Sequence, residues 1–498
     1  MLMTSSPTLL TPLEMAEADR LAAQSGIPSF ELMLRAGHAV AAAALAHFPG
    51  ALRFAVLCGP GNNGGDGYVA AKALAESGAT LDVFALGETA ALKGDAKSAF
   101  DMWGRGATPL DAYDPRPGDV VIDALFGAGL SRPVSDPVRR LIADVTGAGL
   151  PVLAVDLPSG LCGLSGRPLG AAFNARRTIT FMARKPGHLL LPGRSLCGDM
   201  EVVDIGIPRR LMQAAAGRVS ENRPDLWRNE LPVAGPDTHK YRRGHLVCFS
   251  GEASKTGAAR LSAQAALKCG AGLVTLASPA DALEINAAHL TAVMLREIDS
   301  KADLDEWLAD GRLSTFVLGP GFGIGGKARG FALALSGKTL VLDADGITSF
   351  KDDRDALFAA FAGGEPHLVL TPHEGEFSRL FPDLAADDSL GKVEKALEAA
   401  RRANAAVVYK GADTVIAAPD GRAAINTNGP PWLATAGSGD VLAGIVGALS
   451  AQGMPAFEAA AAGVYIHAEA ANMAGPGMTA EDLADHVGKA MAATVTGH

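Results

Sequence analysis

The sequence predicts an α/β protein built from two domains, the first a mostly parallel, doubly wound sheet and the second again α/β. Three observations carry this expectation. At 498 residues the chain exceeds the size at which one hydrophobic core usually stops growing. Its 48% hydrophobic, 20% charged and 5% aromatic residues suit a globular α/β protein rather than a disordered or membrane-embedded one. Along both halves, short apolar runs end in a Gly or Asp turn and lead into a helical stretch, the rhythm of parallel strands joined by helices.

In the first half, two helices are expected over residues 12–48, followed by strands at 53–58, 81–86, 119–124, 151–156, 178–182 and 201–205. The rhythm stops between Arg209 and Pro236, a polar stretch carrying Pro224, Pro232 and Pro236. Reading it as a linker gives domains 1–212 and 228–498. A second series follows, with strands at 245–250, 272–277, 316–319, 338–343, 367–371 and 406–410, and residues 436–452 read as a glycine turn opening a buried helix.

Lys and Arg number 44 against 54 Asp and Glu, a net charge of −10 with no basic stripe, so nucleic acid is excluded as a partner. An anionic ligand must then be held by backbone N–H groups at helix N-termini or by a few placed cations. The five cysteines, Cys58, Cys162, Cys197, Cys248 and Cys269, are scattered and suggest neither structural zinc nor a disulfide framework. Residues 1–30 lack a basic start and an apolar core segment, and no run is long enough for a membrane span. A cytoplasmic protein without a membrane partner is expected.

The run from Phe54 to Gly67 passes from an apolar strand into Gly59-Pro60-Gly61-Asn62-Asn63-Gly64-Gly65-Asp66-Gly67, with a helix expected from about Tyr68. Such a loop could cradle phosphate, as in an ordinary dinucleotide-binding dehydrogenase. The two Asn and the Asp inside it add polar side chains for ligation. Two more strands end in oxygen-rich turns, Asp123 with Phe126-Gly127-Ala128-Gly129-Leu130, and Asp156-Leu157-Pro158-Ser159-Gly160. All three turns fall on the C-terminal edge of the sheet, where open α/β folds bind ligands. Helix caps and tight turns are the bland alternative.

With these motifs, residues 12–210 resemble the NAD(P)H-hydrate epimerase family, a Rossmann-like fold. The resemblance implies that Asn62, Asn63, Gly64, Gly65 and Asp66, together with Gly127, Ala128, Gly129, Leu130, Ser131, Arg132 and Pro133, touch the hydrated cofactor. It also implies potassium held by Asn63, Asp123 and Ser159, a suitable set of hard oxygen ligands. Asp156 is then both a substrate contact and the catalytic base that interconverts R and S hydrates, with a raised pKa expected for such work. Where the family has Leu-Met-Glu-Asn-Ala-Gly, this chain has Leu32-Met33-Leu34-Arg35-Ala36-Gly37, which loses a carboxylate at Leu34.

In the second half, Ala436-Gly437-Ser438-Gly439-Asp440 opens a helix. Its N–H donors and positive helix end could face a transferring phosphoryl group, with Asp440 placed to accept a hydroxyl proton. The turn resembles the anion hole of ribokinase-like small-molecule kinases, and alone it would suit a sugar, thiazole or pyrimidine kinase. Further motifs narrow the resemblance: Pro236-Asp237-Thr238-His239-Lys240, Gly270-Ala271-Gly272, Gly319-Pro320-Gly321-Phe322-Gly323, Asp343-Ala344-Asp345-Gly346, Thr371-Pro372-His373-Glu374-Gly375-Glu376 and Lys410-Gly411-Ala412-Asp413-Thr414. Together they look like the ADP-dependent NAD(P)H-hydrate dehydratase family over residues 230–490.

That resemblance implies that Ala258, Gly321, His373 and the catalytic Asp440 contact the hydrate, while Lys410, Gly411, Ala412, Asp413, Thr414 and Gly439 bind ADP, with magnesium neutralising the diphosphate. Glu374 and Glu376 could organise that magnesium or simply be solvated. The implied substrates are NADHX and NADPHX, the hydrates of NADH and NADPH, with ADP as co-substrate, in a homo-oligomer devoted to metabolite repair. A kinase with an attached nucleotide-binding domain is the rival enzyme. A first domain turned binding module is the non-enzymatic rival.

Overall fold

The computed structural model describes residues 7–232, 235 and 239–496, so Pro236, Asp237 and Thr238 of the sequence motif lie outside the described residues. The chain divides into two compact units, residues 1–219 and 220–498.

The first unit opens with helices α1 (Pro12–Gln24) and α2 (Ser29–His47). Thr11 starts α1 with a capping box, its hydroxyl accepting from the Glu14 N–H while the Glu14 carboxylate accepts from the Thr11 N–H. Seven strands follow: β1 (Arg53–Cys58), β2 (Leu81–Ala85), β3 (Thr108–Pro109), β4 (Asp119–Ala124), β5 (Val152–Val155), β6 (Arg177–Phe181) and β7 (Asp199–Val203). They form one sheet in the order β3-β2-β1-β4-β5-β6-β7, every pair parallel. The order reverses beside β1, the switch point where doubly wound sheets open a crevice for ligands. Both faces of β1 and β4 are covered, which is why these strands read as unbroken apolar runs.

One expectation changes here. Helix α3 spans Asn62–Glu76, so Asn62 to Asp66 form its first turns instead of a loop ahead of a helix at Tyr68. The glycines permit the packing: a Cβ on Gly64 would fall on the Gly59 carbonyl, and one on Gly65 would lie 2.6 Å from the Met33 side chain.

The second unit holds a ten-stranded sheet made of β8 (Val219–Glu221), β9 (His245–Phe249), β10 (Leu273–Ser278), β11 (Met294–Glu297), β12 (Thr315–Leu318), β13 (Thr339–Leu342), β14 (Leu368–Leu370), β15 (Ala405–Tyr409), β16 (Val415–Ala417) and β17 (Ala423–Ile425). The order is β11-β10-β9-β12-β13-β14-β15-β16-β17-β8, parallel from β11 to β15, with β15, β16 and β17 antiparallel. The helices Ser438–Ala451 and Ala456–Ala474 are buried nearly all round in its core.

The stretch read as a linker is partly built into this unit. The Asn222 N–H donates to the Ile425 carbonyl, and Trp227 is 1% exposed within the core. Polar residues and prolines mask this in the sequence because the docking rests on one short strand and one large ring.

Candidate functional site

In the first unit the ends of β1, β4 and β5 surround a cavity of about 580 Å³. Asn62, Asn63, Asp66, Gly127, Ala128, Gly129, Leu130, Ser131, Arg132 and Asp156 line it, joined by Asp19 of α1 and by Lys185. Gly64 and Gly65 pack behind it, and Pro133 lies beside Gly170.

Asp156 sits one residue past β5 with φ of +65°, a left-handed conformation that costs energy outside glycine and often marks a functional turn. Four groups fix its carboxylate and carbonyl. Lys185 Nζ lies 2.5 Å from Oδ1, the Thr180 hydroxyl donates to Oδ1 at 2.9 Å, and the Ala128 N–H donates to Oδ2 at 2.9 Å. His188 Nδ1 accepts from the Lys185 N–H, so its Nε2–H donates to the Asp156 carbonyl, 2.9 Å away. Burial holds His188 neutral by lowering it to about 4.

The raised pKa expected of Asp156 is not found. Burial alone would push the carboxyl up, but the Lys185 ammonium against it brings it down to about 2. The raised carboxyls of this cavity are its neighbours. Burial and the charge on Asp156 push Asp66 well above the usual range. Asp19 is itself exposed, and partial desolvation in the cavity lining raises its carboxyl against the pull of Lys185. Lys185, Thr180, His188 and Asp19 were missed in the sequence because no glycine-rich motif contains them. A buried Lys-x-x-His shortly after a strand was the available signal.

Asp123 and Ser159 are fully buried beside this cavity. The Ser159 N–H and hydroxyl each donate to the Asp123 carboxylate at 2.6 Å, and the Leu125 N–H donates at 3.3 Å. Burial raises Asp123 to about 6, the Ser159 bonds opposing it. A Cβ on Gly127 would lie 2.9 Å from both Asn63 Oδ1 and Asp156 Oδ2, so these two side chains converge on one glycine. Leu34, which replaces the family carboxylate, packs against the apolar core, and Arg35 donates to the Ile205 carbonyl at 3.0 Å.

In the second unit, Gly437 (φ +86°) turns the chain into the helix Ser438–Ala451 and leaves its first N–H groups at the opening. The Ser262 hydroxyl donates to the Asp440 carbonyl at 2.7 Å, and the Ser438 carbonyl is bonded by His467 Nε2 at 2.8 Å. Burial, reinforced by the charge on Asp343, pushes the Asp440 carboxyl up to about 7 despite Lys410. A Cβ on Gly321 (φ +66°) would lie 3.3 Å from the Ala258 Cβ, so these two residues form one wall.

Lys410 departs from the other residues of its loop. Its ammonium lies 2.8 Å from Asp343 Oδ1 and 3.8 Å from Glu376 Oε2. Burial works against that charge, and Asp343 and Glu376 hold it above its ordinary value. Glu376 also accepts from the His373 N–H at 2.9 Å, and His373 Nδ1 accepts from the Gly375 N–H at 2.9 Å, capping the helix that follows. The Glu374 carboxylate accepts from the Tyr409 hydroxyl at 2.6 Å, so both glutamates are engaged. Gly411 and Ala412 are exposed, Thr414 donates to the Gly411 carbonyl, and Asp413 pairs with Lys392 at 2.6 Å.

Residues 29–187 match the family described as YjeF-related protein N-terminus, and residues 246–492 match the family described as NAD(P)H-hydrate dehydratase. A bifunctional NAD(P)H-hydrate repair enzyme of Thermofilum pendens is 36% identical over 95% of this chain and 94% of its own. One of Moorella thermoacetica is 36% identical over 96% and 95%, and one of Escherichia coli 33% identical over 92% and 88%. Among solved structures, an ADP/ATP-dependent NAD(P)H-hydrate dehydratase from Bacillus subtilis is 22% identical over 55% of this chain and 98% of its own, with a TM-score of 0.45.

Proposed function

The chain belongs to the family of bifunctional NAD(P)H-hydrate repair enzymes, and from that premise we propose how its two sites divide the work. The first unit interconverts the R and S hydrates, and the second dehydrates the S form to NAD(P)H while ADP becomes AMP and phosphate. The observation that carries this reading is geometric: Asp156 stands with Asn63, Gly127 and Lys185 in the cavity of the first unit, and Asp440 stands in the first turn of the helix that Gly437 opens in the second.

In the first cavity, Asp156 is ionised at neutral pH and accepts the proton of the ring hydroxyl. As a carbonyl forms at that carbon, its bond to the ring nitrogen opens and the nitrogen takes up a proton. Closure from the other face gives the other epimer. Asn62, Asn63 and the turn Gly127 to Pro133 bind the substrate, and Lys185 keeps Asp156 charged and oriented.

Potassium fits the neighbouring residues. Asp123 is a fully buried carboxylate whose hydrogen-bond partners are neutral, and such a charge calls for a cation. Asn63, Asp123 and Ser159 would hold it. When bound, it supplies a fixed positive charge beside the substrate.

In the second unit, Asp440 takes the hydroxyl proton, and the freed oxygen attacks the terminal phosphorus of ADP, with AMP leaving. Elimination of the phosphate ester then breaks the carbon–oxygen bond, a ring proton departs, and the double bond is restored. The N–H groups at Gly437 to Asp440 face the charge that develops. Ala258, Gly321 and His373 bind the hydrate, and Lys410 to Thr414 with Gly439 bind the nucleotide. Magnesium would be held chiefly by the ADP diphosphate, with Glu376 as its acidic neighbour beside Lys410, since among the described residues no three His, Cys, Asp or Glu side chains are grouped to hold a metal ion by themselves. It supplies neutralisation of the phosphate charge. The reading includes both NADHX and NADPHX as substrates, a cytoplasmic location and self-association.

Incubation of purified S hydrate with magnesium and ADP tests the second activity. NADH, AMP and phosphate are expected in equal amounts. A stable phosphorylated product without NADH would mean a kinase.

A further inference from the structure

The segment Asp343-Ala344-Asp345-Gly346 stands out in the sequence, and the reaction as described gives Asp343 no part. It lies one residue past β13, at the edge of the sheet where β15 delivers Lys410. Its side chain is 2% exposed. Oδ1 accepts from the Thr371 hydroxyl at 2.6 Å and from the Lys410 ammonium at 2.8 Å. Ala344 holds a left-handed φ of +46°, a strained conformation that fixes the direction in which the chain leaves Asp343.

The position of this pair relative to the helix opening is informative. A Cβ on Gly439 would lie 3.4 Å from Lys410 Nζ and 3.9 Å from Asp343 Oδ2, so the ion pair sits directly against the glycine turn. Burying an ammonium and a carboxylate is costly, and an apolar pair of the same shape commonly serves stability as well. The same desolvation makes a placed positive charge effective against negative charge that develops during a reaction. Gly439, having no side chain, leaves the ammonium open to a phosphoryl group at the turn.

We propose that Asp343 is a positioning residue for phosphoryl transfer: anchored by Thr371, it holds the Lys410 ammonium against the Gly437–Asp440 turn, where that ammonium meets the moving phosphoryl group. This rests on the dehydratase reading. Lys410 then differs in role from Gly411 to Thr414, which bind the remainder of the nucleotide. Glu376 is a second anchor at 3.8 Å, and Asp343 is the close one.

The test is steady-state kinetics of the full chain with S hydrate, ADP and magnesium, comparing wild type with Asp343→Asn, Lys410→Met and the double variant. Asp343→Asn is expected to lower kcat about 10²-fold, the scale on which one placed transition-state contact acts, with KM for ADP changed by less than about threefold. The double variant should be no slower than Lys410→Met alone, because Asp343 acts through Lys410. An unchanged kcat, a rise confined to KM, or losses that multiply in the double variant would each overturn the proposal. If Asp343→Asn does not fold, as judged by thermal melting, Thr371→Val removes one anchor and should lower kcat at constant KM, and an unchanged kcat there would equally overturn it. A wild type that produces no NADH would refute the dehydratase reading itself, whereas an active wild type matched by Asp343→Asn would refute only this inference.

Discussion

Lys185 Nζ lies 2.5 Å from Oδ1 of Asp156, with the lysine side chain 2% exposed. A buried ammonium in this position makes the aspartate a carboxylate at every physiological pH, at the cost of basicity. The pair also couples the site to stability. Because the folded pKa of Asp156 is depressed to about 2, its contribution is complete above the unfolded value of about 4 and is lost as pH falls through about 2.

Lys185→Met strands the carboxylate, and breaking a buried pair costs about 3–5 kcal/mol. Urea denaturation at neutral pH should show a loss of this order. The variant should regain part of it on acidification towards pH 5, because the uncompensated carboxyl then titrates upwards. Equal stability of the two proteins at neutral pH would contradict the pairing.

Asp440 titrates in the opposite sense. With its carboxyl raised to about 7, the base proposed for the dehydratase is ionised only above that pH. The kcat/KM of the dehydratase should therefore climb through about pH 7 and level off above it. The same group favours the folded state fully below its unfolded pKa of about 4, and this advantage is lost as pH rises through about 7. A rate limb near pH 4 would place the titrating base elsewhere.

Gly127→Ala tests the convergence of Asn63 and Asp156. A Cβ there would meet Asn63 Oδ1 and Asp156 Oδ2 at 2.9 Å each, too close without displacing both. The backbone at this residue needs no left-handed φ, so the effect is steric. Displacements on the ångström scale can cost about 10²-fold in rate. Epimerase kcat/KM should fall at least tenfold, with a loss of stability smaller than that of Lys185→Met. Full activity would show that the two side chains are free to move apart.

Potassium should bind through Asp123, whose carboxyl is raised to about 6 by burial. Above that pH, potassium should raise the thermal midpoint of the wild type more than lithium at equal ionic strength. Asp123→Asn should abolish the difference. Equal effects of the two salts on wild type would argue against a specific site.

The parallel core was legible in the sequence because β1, β4, β9 and β12 are covered on both faces and read as apolar runs. The exposed or half-buried strands β3, β8 and β11 and the hairpin strands β16 and β17 were not, since they carry neither an extended apolar run nor an alternating pattern. The glycine-rich turns that line the first cavity were legible because each turn has its own local geometry. The charge state of Asp156 was not, because Lys185 follows it by 29 residues and reaches it only through the pairing of β5 with β6. Likewise, Lys410 reads as a loop residue until the folded sheet brings it to Asp343, 67 residues away.

The division of labour between the two sites is tested most directly by following recovery of NADH absorbance from a mixed-epimer hydrate with magnesium and ADP. Wild type should restore all of the NADH, Asp440→Asn none, and Asp156→Asn the S fraction rapidly, with the remainder only at the spontaneous rate of epimerisation. Complete rapid recovery by Asp156→Asn, or any recovery by Asp440→Asn beyond the uncatalysed background, would contradict the account.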